Sequence, residues 1–192
     1  MKPLILASGS PRRAKILRDL GVEFEVVKTE APEVSIPHNP VRTVTENACA
    51  KLHAALAATS AAAPVGLAGR AILAADTIVW FNNRIYGKPR NLDEAKEFLL
   101  ELSGQTHVVF TGVAFRAEDG TERTACVDSH VTFRVLSEEM IDEYVARVHP
   151  TDRAGAYDID ESGDLIVASY TGSYENIMGL PVEPLRDFGI CV

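Results

Sequence analysis

Apolar and polar positions alternate along this chain in short, well-punctuated segments. Leu4-Ile5-Leu6 is an apolar run that ends at the turn Ser8-Gly9-Ser10-Pro11, after which Ile16, Leu17 and Leu20 fall on one helical stripe. Gly21 stands where that helix would end, and Val22–Val27 has the alternation of a strand. Pro32, Pro37 and Pro40 make residues 29–40 a loop. From there Val41, Val44, Ala48, Leu52 and Leu56 recur at steps of three and four, the spacing of an amphipathic helix opened by Asn39 or Pro40. The alanine-rich stretch that follows is interrupted by Pro64, Gly66 and Gly69.

Ala71–Trp80 is a dense apolar run with one acid in it, Asp76. Asn82-Asn83 reads as a hairpin turn, followed by Arg84–Tyr86 and the rigid Gly87-Lys88-Pro89. Asn91–Leu102 is a second amphipathic helix. Residues 107–116 and 122–135 alternate with period two around Asp119-Gly120, the clearest β-hairpin in the chain. Ser137 caps a third helix over 138–147, and the glycine- and acid-rich tail holds one strand-like piece, Leu165–Ser169. This mixture predicts an α/β (α+β) mixed sheet within residues 1–192 as one domain, its two lobes facing a central cleft.

Composition narrows the function. The 192 residues are 46% hydrophobic and 24% charged, ordinary for a globular chain. A net charge of −8 argues against a nucleic-acid polymer as partner, although a few convergent arginines still bind a small anion. Leu4–Ala7 is too short for a signal-peptide core, and the uncharged stretch 54–69 is too short and too weakly hydrophobic for a bilayer, so the expectation is a cytoplasmic protein. Cys49, Cys126 and Cys191 form no C-x-x-C pair, and the five histidines form no H-E-x-x-H. Neither a Walker-A nor a G-x-G-x-x-G motif is present.

Two places look like chemistry. Ser10 and Pro11 suit a helix start, but Arg12 and Arg13 put cations at its positive end, which an anionic ligand would make favourable. The plainer reading is arginines pointing to water or paired with acids. Asp76 is either a cleft carboxylate at a strand end, able to bind Mg²⁺ or activate water, or a turn residue between two shorter strands. Lys88 is a point charge suited to a phosphate, or simply solvated. Glu33 in its proline-bounded loop and Lys51 beside the apolar helix stripe carry weaker signals. In Ala154–Glu161 small residues sit beside Asp158, Asp160 and Glu161, where backbone can approach a ligand. His107 and His130 read as strand residues.

In this order the segments resemble the Maf family of nucleoside triphosphate pyrophosphatases. The matching stretches are Leu-Ala-Ser-Gly-Ser-Pro-Arg-Arg (6–13), Ala-Ala-Asp-Thr-Ile-Val (74–79), Gly-Lys-Pro (87–89), Leu-Ser-Gly-Gln-Thr-His-Val-Val (102–109), Thr-Gly-Val (111–113), Ala-Gly-Ala-Tyr (154–157) and Met-Gly-Leu-Pro (178–181). The resemblance implies a two-lobed fold akin to inosine triphosphatases and hydrolysis between the α and β phosphorus atoms of a nucleoside triphosphate. It also implies a divalent metal (Mg or Mn), a cytoplasmic location and a possible homodimer, for which the outer face of the 107–135 hairpin either offers a surface or is simply solvated.

Carried over, Asp76 matches the proton acceptor, Arg12 and Thr77 match positions tied to substrate choice, and Ser8, Arg13, Glu33, Lys51 and Lys88 match others lining the site. The dTTP/UTP branch fits best, with one departure: Asp160 stands where that branch usually carries glutamine. Aspartate is a methylene shorter and, ionised, only accepts hydrogen bonds. The branch acting on 7-methyl-GTP usually has Trp in the Ser-Pro-x-Arg-Arg turn and lacks Gly-Ala-Tyr. Because of Asp160 the same chemistry on another or a modified nucleotide stays open, and so do two other classes. One is a non-catalytic nucleotide-binding regulator of septum formation; the other is a nucleotidyl transferase that releases pyrophosphate only when given a sugar phosphate.

Overall fold

In the computed structural model, which describes residues 2–61 and 69–192, β1 (Leu4–Leu6) is wholly buried and runs into α1 (Pro11–Asp19) through a turn at Ser8–Ser10. Gly21, with φ 69°, reverses the chain into β2 (Phe24–Val26), shorter than the alternation at 22–27 suggests. After the proline-bounded loop, α2 (Pro40–Ala61) buries Val44, Ala48 and Leu52. Pro64 and Gly66, expected to break the alanine-rich stretch, lie outside the described residues.

β3 (Ile72–Phe81) is one continuous strand, turned by Asn82 and Asn83 at φ 52° and 62° into β4 (Arg84–Tyr86). Both asparagines sit in the left-handed region that a two-residue hairpin turn requires. α3 (Leu92–Leu102) starts on the Asn91 side chain, which accepts the Glu94 N–H. β5 (Thr106–Arg116) and β6 (Glu122–Phe133) form the long hairpin, and α4 (Glu138–Val148) is capped by Ser137 as its sequence implies. The tail holds more structure than its composition suggests. Two single 3₁₀ turns (Pro150–Asp152 and Ala154–Ala156) precede α5 (Gly163–Ile166), β7 (Val167–Thr171), α6 (Tyr174–Met178) and α7 (Val182–Asp187).

Among the described residues the strands form one mixed sheet in the order β2-β1-β3-β5-β6-β7, with β4 also on β3. β5 pairs with one edge of β3 from Ile72 to Trp80. The opposite edge is shared: β1 pairs in parallel at Ile72 and Leu73, and β4 in antiparallel at Val79–Phe81. Between them, among the described residues, β3 has no neighbouring strand on that side, and a cleft opens in the gap. One apolar cluster lies beyond the β4 end, around Phe98, Leu99, Phe133 and Tyr144. A second lies at the β1 end, around Leu6, Leu17, Phe115 and Leu180. These are the two lobes, and β3 and β5 run through both.

Asp76 is therefore neither at a strand end nor in a turn, as the sequence reading had it. It is mid-strand, opposite Gly112 of β5. A Cβ on Gly112 would come within 2.4 Å of the Val44 carbonyl oxygen and 2.8 Å of the Thr45 nitrogen. α2 thus crosses the sheet close enough that only glycine fits beneath it. Directly opposed residues share a face, so the Asp76 carboxylate points toward the same helix.

Candidate active site

The cleft is a cavity of about 790 Å³. It brings together eight of the nine residues singled out from the sequence: Ser8, Arg12, Arg13, Glu33, Lys51, Asp76, Thr77 and Lys88 all line it. Asp160 does not. Its carboxylate pairs with Lys15 at 3.3 Å and accepts the Tyr174 hydroxyl at 3.2 Å, while its backbone N–H donates to Asp158 Oδ1, a residue that does line the cavity.

Asp76 is buried, and its carboxylate is held on both oxygens by α2. Lys51 Nζ lies 2.5 Å from Oδ1, and the Asn47 side-chain amide donates to Oδ2 at 3.0 Å. Positions 47 and 51 are four apart, hence on one face of the helix. Lys51 Nζ also lies 2.8 Å from Glu33 Oε1, drawing the proline-bounded loop against the strand. Burial pushes the Glu33 pKa up, but the hydrogen bond and charge of Lys51, with the charges of Lys88 and Arg13, outweigh it and hold the carboxyl below its usual range.

The turn after β1 is built on Ser8, whose hydroxyl oxygen accepts from the Ser10 N–H at 3.2 Å and from Arg13 Nη1 at 3.0 Å. Ser10 occupies the N-cap position of α1, but its own side chain makes no capping bond. Arg13 Nε donates to the Gly179 carbonyl at 2.8 Å and Nη2 to Thr77 Oγ1 at 3.0 Å. Gly179, at φ 106°, ends α6 in a conformation suited to glycine and presents that carbonyl. Burial lowers the Arg13 pKa to about 10, with Asp76 opposing, Arg12 adding to the fall and Glu33 opposing; the side chain stays cationic at neutral pH. Arg13 thus bolts the turn, β3 and the α6 end together.

Arg12 points along the cavity wall and pairs with Asp158 Oδ2 at 3.2 Å. The same oxygen accepts from Arg153 Nε at 3.0 Å, and Arg153 also reaches Asp152, Glu161 and the Val148 carbonyl. Tyr144 O–H donates to the Asp158 carbonyl and accepts its N–H. Lys28 and Lys88 line the cavity as exposed cations and make no hydrogen bond or ion pair among the described residues. His107 is a strand residue, as expected: it is wholly buried, 3.0 Å from Tyr157 O–H, and burial lowers its pKa to about 3.

Sequence reasoning missed Asn47 and Arg153. An amide interrupting the apolar stripe between Val44 and Ala48 was the available signal for Asn47; nothing local marks Arg153.

Among the described residues no group of three or more His, Cys, Asp or Glu is arranged to hold a metal alone. The donor set nevertheless suits a hard divalent cation. Glu33 and Asp76 already converge on one cationic centre, the Lys51 ammonium, and Mg²⁺ is commonly held by one or two carboxylates completed by phosphate oxygens and water.

The cavity can thus accept an extended anion: a helix start, Arg12 and Lys88 line it together with the fixed Asp76 carboxylate.

The family model described as Maf-like protein matches residues 3–188. A dTTP/UTP pyrophosphatase of Bacillus cereus is 41% identical over 200 residues, spanning all of this chain and 93% of that relative. One from Bacillus anthracis is likewise 41% identical, with 98% of the relative covered. Among solved structures, a nucleoside-triphosphatase / dITP/XTP pyrophosphatase of Mycobacterium abscessus superposes with TM-score 0.42 at 18% identity, covering 69% of this chain and 73% of that one. The Ham1 protein of Staphylococcus aureus gives TM-score 0.48 at 12% identity over 69% and 72% of the two chains.

Proposed function

We propose, for a chain that belongs to the Maf-like protein family, that it hydrolyses the α–β phosphoanhydride of nucleoside triphosphates, dTTP and UTP foremost, to the monophosphate and pyrophosphate. The observation that carries this reading is the Asp76 carboxylate, fixed by Lys51 and Asn47, facing the same cavity as the Ser8–Arg13 turn and Lys88, which is unpaired among the described residues. Relatives at 41% identity that bear the dTTP/UTP name support the choice of base.

In this reading water attacks the α phosphorus, and Asp76 accepts the proton that the water loses. The bond from the α phosphorus to the α–β bridging oxygen breaks, and its electron pair leaves with pyrophosphate. Lys51 and Asn47 keep the base in one orientation, so no reorganisation is needed as charge moves. The α1 start and Arg12 take phosphate oxygens, and Arg12 exchanges Asp158 for the ligand while Arg153 keeps that buried acid paired. Lys88 offsets charge growing on the leaving group. Ser8, Thr77 and Arg13 act by holding the turn to the strand. Asp160 acts one residue removed from the cavity, through its N–H on Asp158 Oδ1.

A divalent cation (Mg or Mn) would be held by Asp76 and Glu33 with phosphate oxygens, and when bound it would neutralise phosphate charge. Triphosphate substrates favour a cytoplasmic site of action, and no helix among the described residues is long and apolar enough to cross a membrane. The half-buried Val108 and Phe110 on the β5–β6 hairpin favour pairing of two copies over contact with nucleic acid.

The test is product analysis by ion-exchange chromatography after incubation with Mg²⁺ or Mn²⁺ and each of dTTP, UTP, CTP, GTP and 7-methyl-GTP. Monophosphate plus pyrophosphate from dTTP and UTP is expected, with water as the sole acceptor. The same products from another nucleotide alone would keep the reaction and reassign the base. No cleavage by the folded protein would overturn the reading in favour of a binding regulator.

A further inference from the structure

Asn47 is only 3% exposed, and its three hydrogen bonds go to Val34 and Asp76, both of which line the cavity. Its Oδ1 accepts the Val34 N–H at 2.8 Å. Its Nδ2 donates to the Val34 carbonyl at 3.1 Å and, with the second proton, to Asp76 Oδ2 at 3.0 Å. The amide therefore reads the backbone of the loop as a strand neighbour would, and spends its last donor on the carboxylate. A buried amide is retained at little cost only when it is satisfied in this way.

Two separate segments are tied by this one side chain. Val34 follows Glu33, whose carboxylate reaches Lys51, and Lys51 in turn reaches Asp76. The result is a closed circuit of Asn47, the 33–34 loop, Lys51 and Asp76. Without Asn47, Asp76 is held on one oxygen by a lysine with rotatable bonds, and residues 33–34 are held to α2 through a half-exposed glutamate and, two residues on, the Ile36 bonds to Thr43.

We infer that Asn47 is a positioning residue for the reaction, fixing the orientation of Asp76 and the approach of the Glu33 loop together. The inference rests on the pyrophosphatase reading above. Two variants separate its halves. Asn47→Leu removes all three bonds while keeping four side-chain heavy atoms branched at Cγ. Asn47→Asp keeps the acceptor for the Val34 N–H, but loses the donor to Asp76 and sets a like charge beside it.

Each variant would be measured for kcat and KM of pyrophosphate release across pH, beside hydrogen exchange at the Val34 amide. Both variants should lose about 10- to 100-fold in kcat with KM changed less than about threefold, since a charge-assisted bond to the base is lost. In Asn47→Asp the acid limb of the kcat profile should move to higher pH, and Val34 protection should persist; in Asn47→Leu that protection should be lost. Wild-type kcat in Asn47→Asp would overturn the inference, as would an unmoved pH profile with losses that merely follow thermal stability. Absence of pyrophosphate from the wild type would instead remove the reading beneath it. Val34 exchange then decides the loop half, and equal protection in all three proteins would overturn that too.

Discussion

Gly112 stands opposite Asp76 in the β3–β5 ladder, and its missing side chain is what lets α2 reach that aspartate. The glycine is chemically inert, yet it sets the distance at which Asn47 and Lys51 meet the carboxylate. Replacing it with alanine puts a methyl group against backbone that cannot rotate away. Gly112→Ala should lose about 1–3 kcal/mol in urea unfolding, and activity should fall more than stability alone explains, because α2 must lift off the strand.

Asp76→Asn keeps the shape of the side chain and leaves Lys51 with Glu33 as its partner. If Asp76 takes the proton from water, kcat should fall about 10²- to 10⁴-fold with the thermal transition still cooperative. The check is single-turnover pyrophosphate release together with circular dichroism. Near wild-type turnover would remove Asp76 from the chemistry.

Lys88 tests the leaving-group side of the reaction. It is exposed and unpaired among the described residues, so its removal costs the fold little. Lys88→Ala should lower kcat about 10- to 100-fold while urea unfolding stays within about 0.5 kcal/mol. A change confined to KM would make it a ground-state phosphate contact instead.

His107 gives a stability signature with a defined sign. Its pKa falls from 6.5 in the unfolded chain to about 3 in the fold, because burial disfavours the imidazolium. Between those values the unfolded chain binds the extra proton. His107 therefore costs nothing above pH 6.5, and stability drains as pH falls toward 3, by up to about 1.4 kcal/mol per pH unit. His107→Phe keeps a ring against Phe133 and Tyr157. It should flatten that slope in denaturant titrations at pH 4 to 7, whatever its absolute stability.

Asp160→Gln restores the residue usual in the dTTP/UTP branch. The side chain here is partly exposed and bound to Lys15 and Tyr174 outside the cavity lining, so its influence is indirect. The kcat/KM for dTTP and UTP should rise by less than about fivefold, the scale of a surface charge pair. A change of a hundredfold, read in a substrate panel, would mean that this residue touches the base.

Much of this molecule was written locally. The hairpin at 106–133, the Ser137 cap and the Asn82-Asn83 turn follow from alternation, capping and turn chemistry acting over a few residues. The gathering of Ser8, Glu33, Lys51, Asp76 and Lys88 was reached through motif resemblance, and the cleft joins them. Spacing alone did not place Asp76 mid-strand, since that depends on a helix supplied by residues before it and a glycine supplied after it. α6 and α7 escaped notice because elements of one or two turns are too short for a period to register. β7 starts two residues later than its apolar signal, because Leu165 and Ile166 close a helical turn instead. Arg153 could not be found at all: its value lies in the acids it meets after folding.

The Arg13 bond to Gly179 and the Arg12 bond to Asp158 join the beginning of the polypeptide to its last quarter, across 166 and 146 positions. A growing chain carries its phosphate turn and Asp76 before residues 158 and 179 exist, so Arg12 still lacks Asp158 and Arg13 has only Ser8 and Thr77 of its three partners. The arginine geometry of the cleft is therefore complete only once residue 179 has been added.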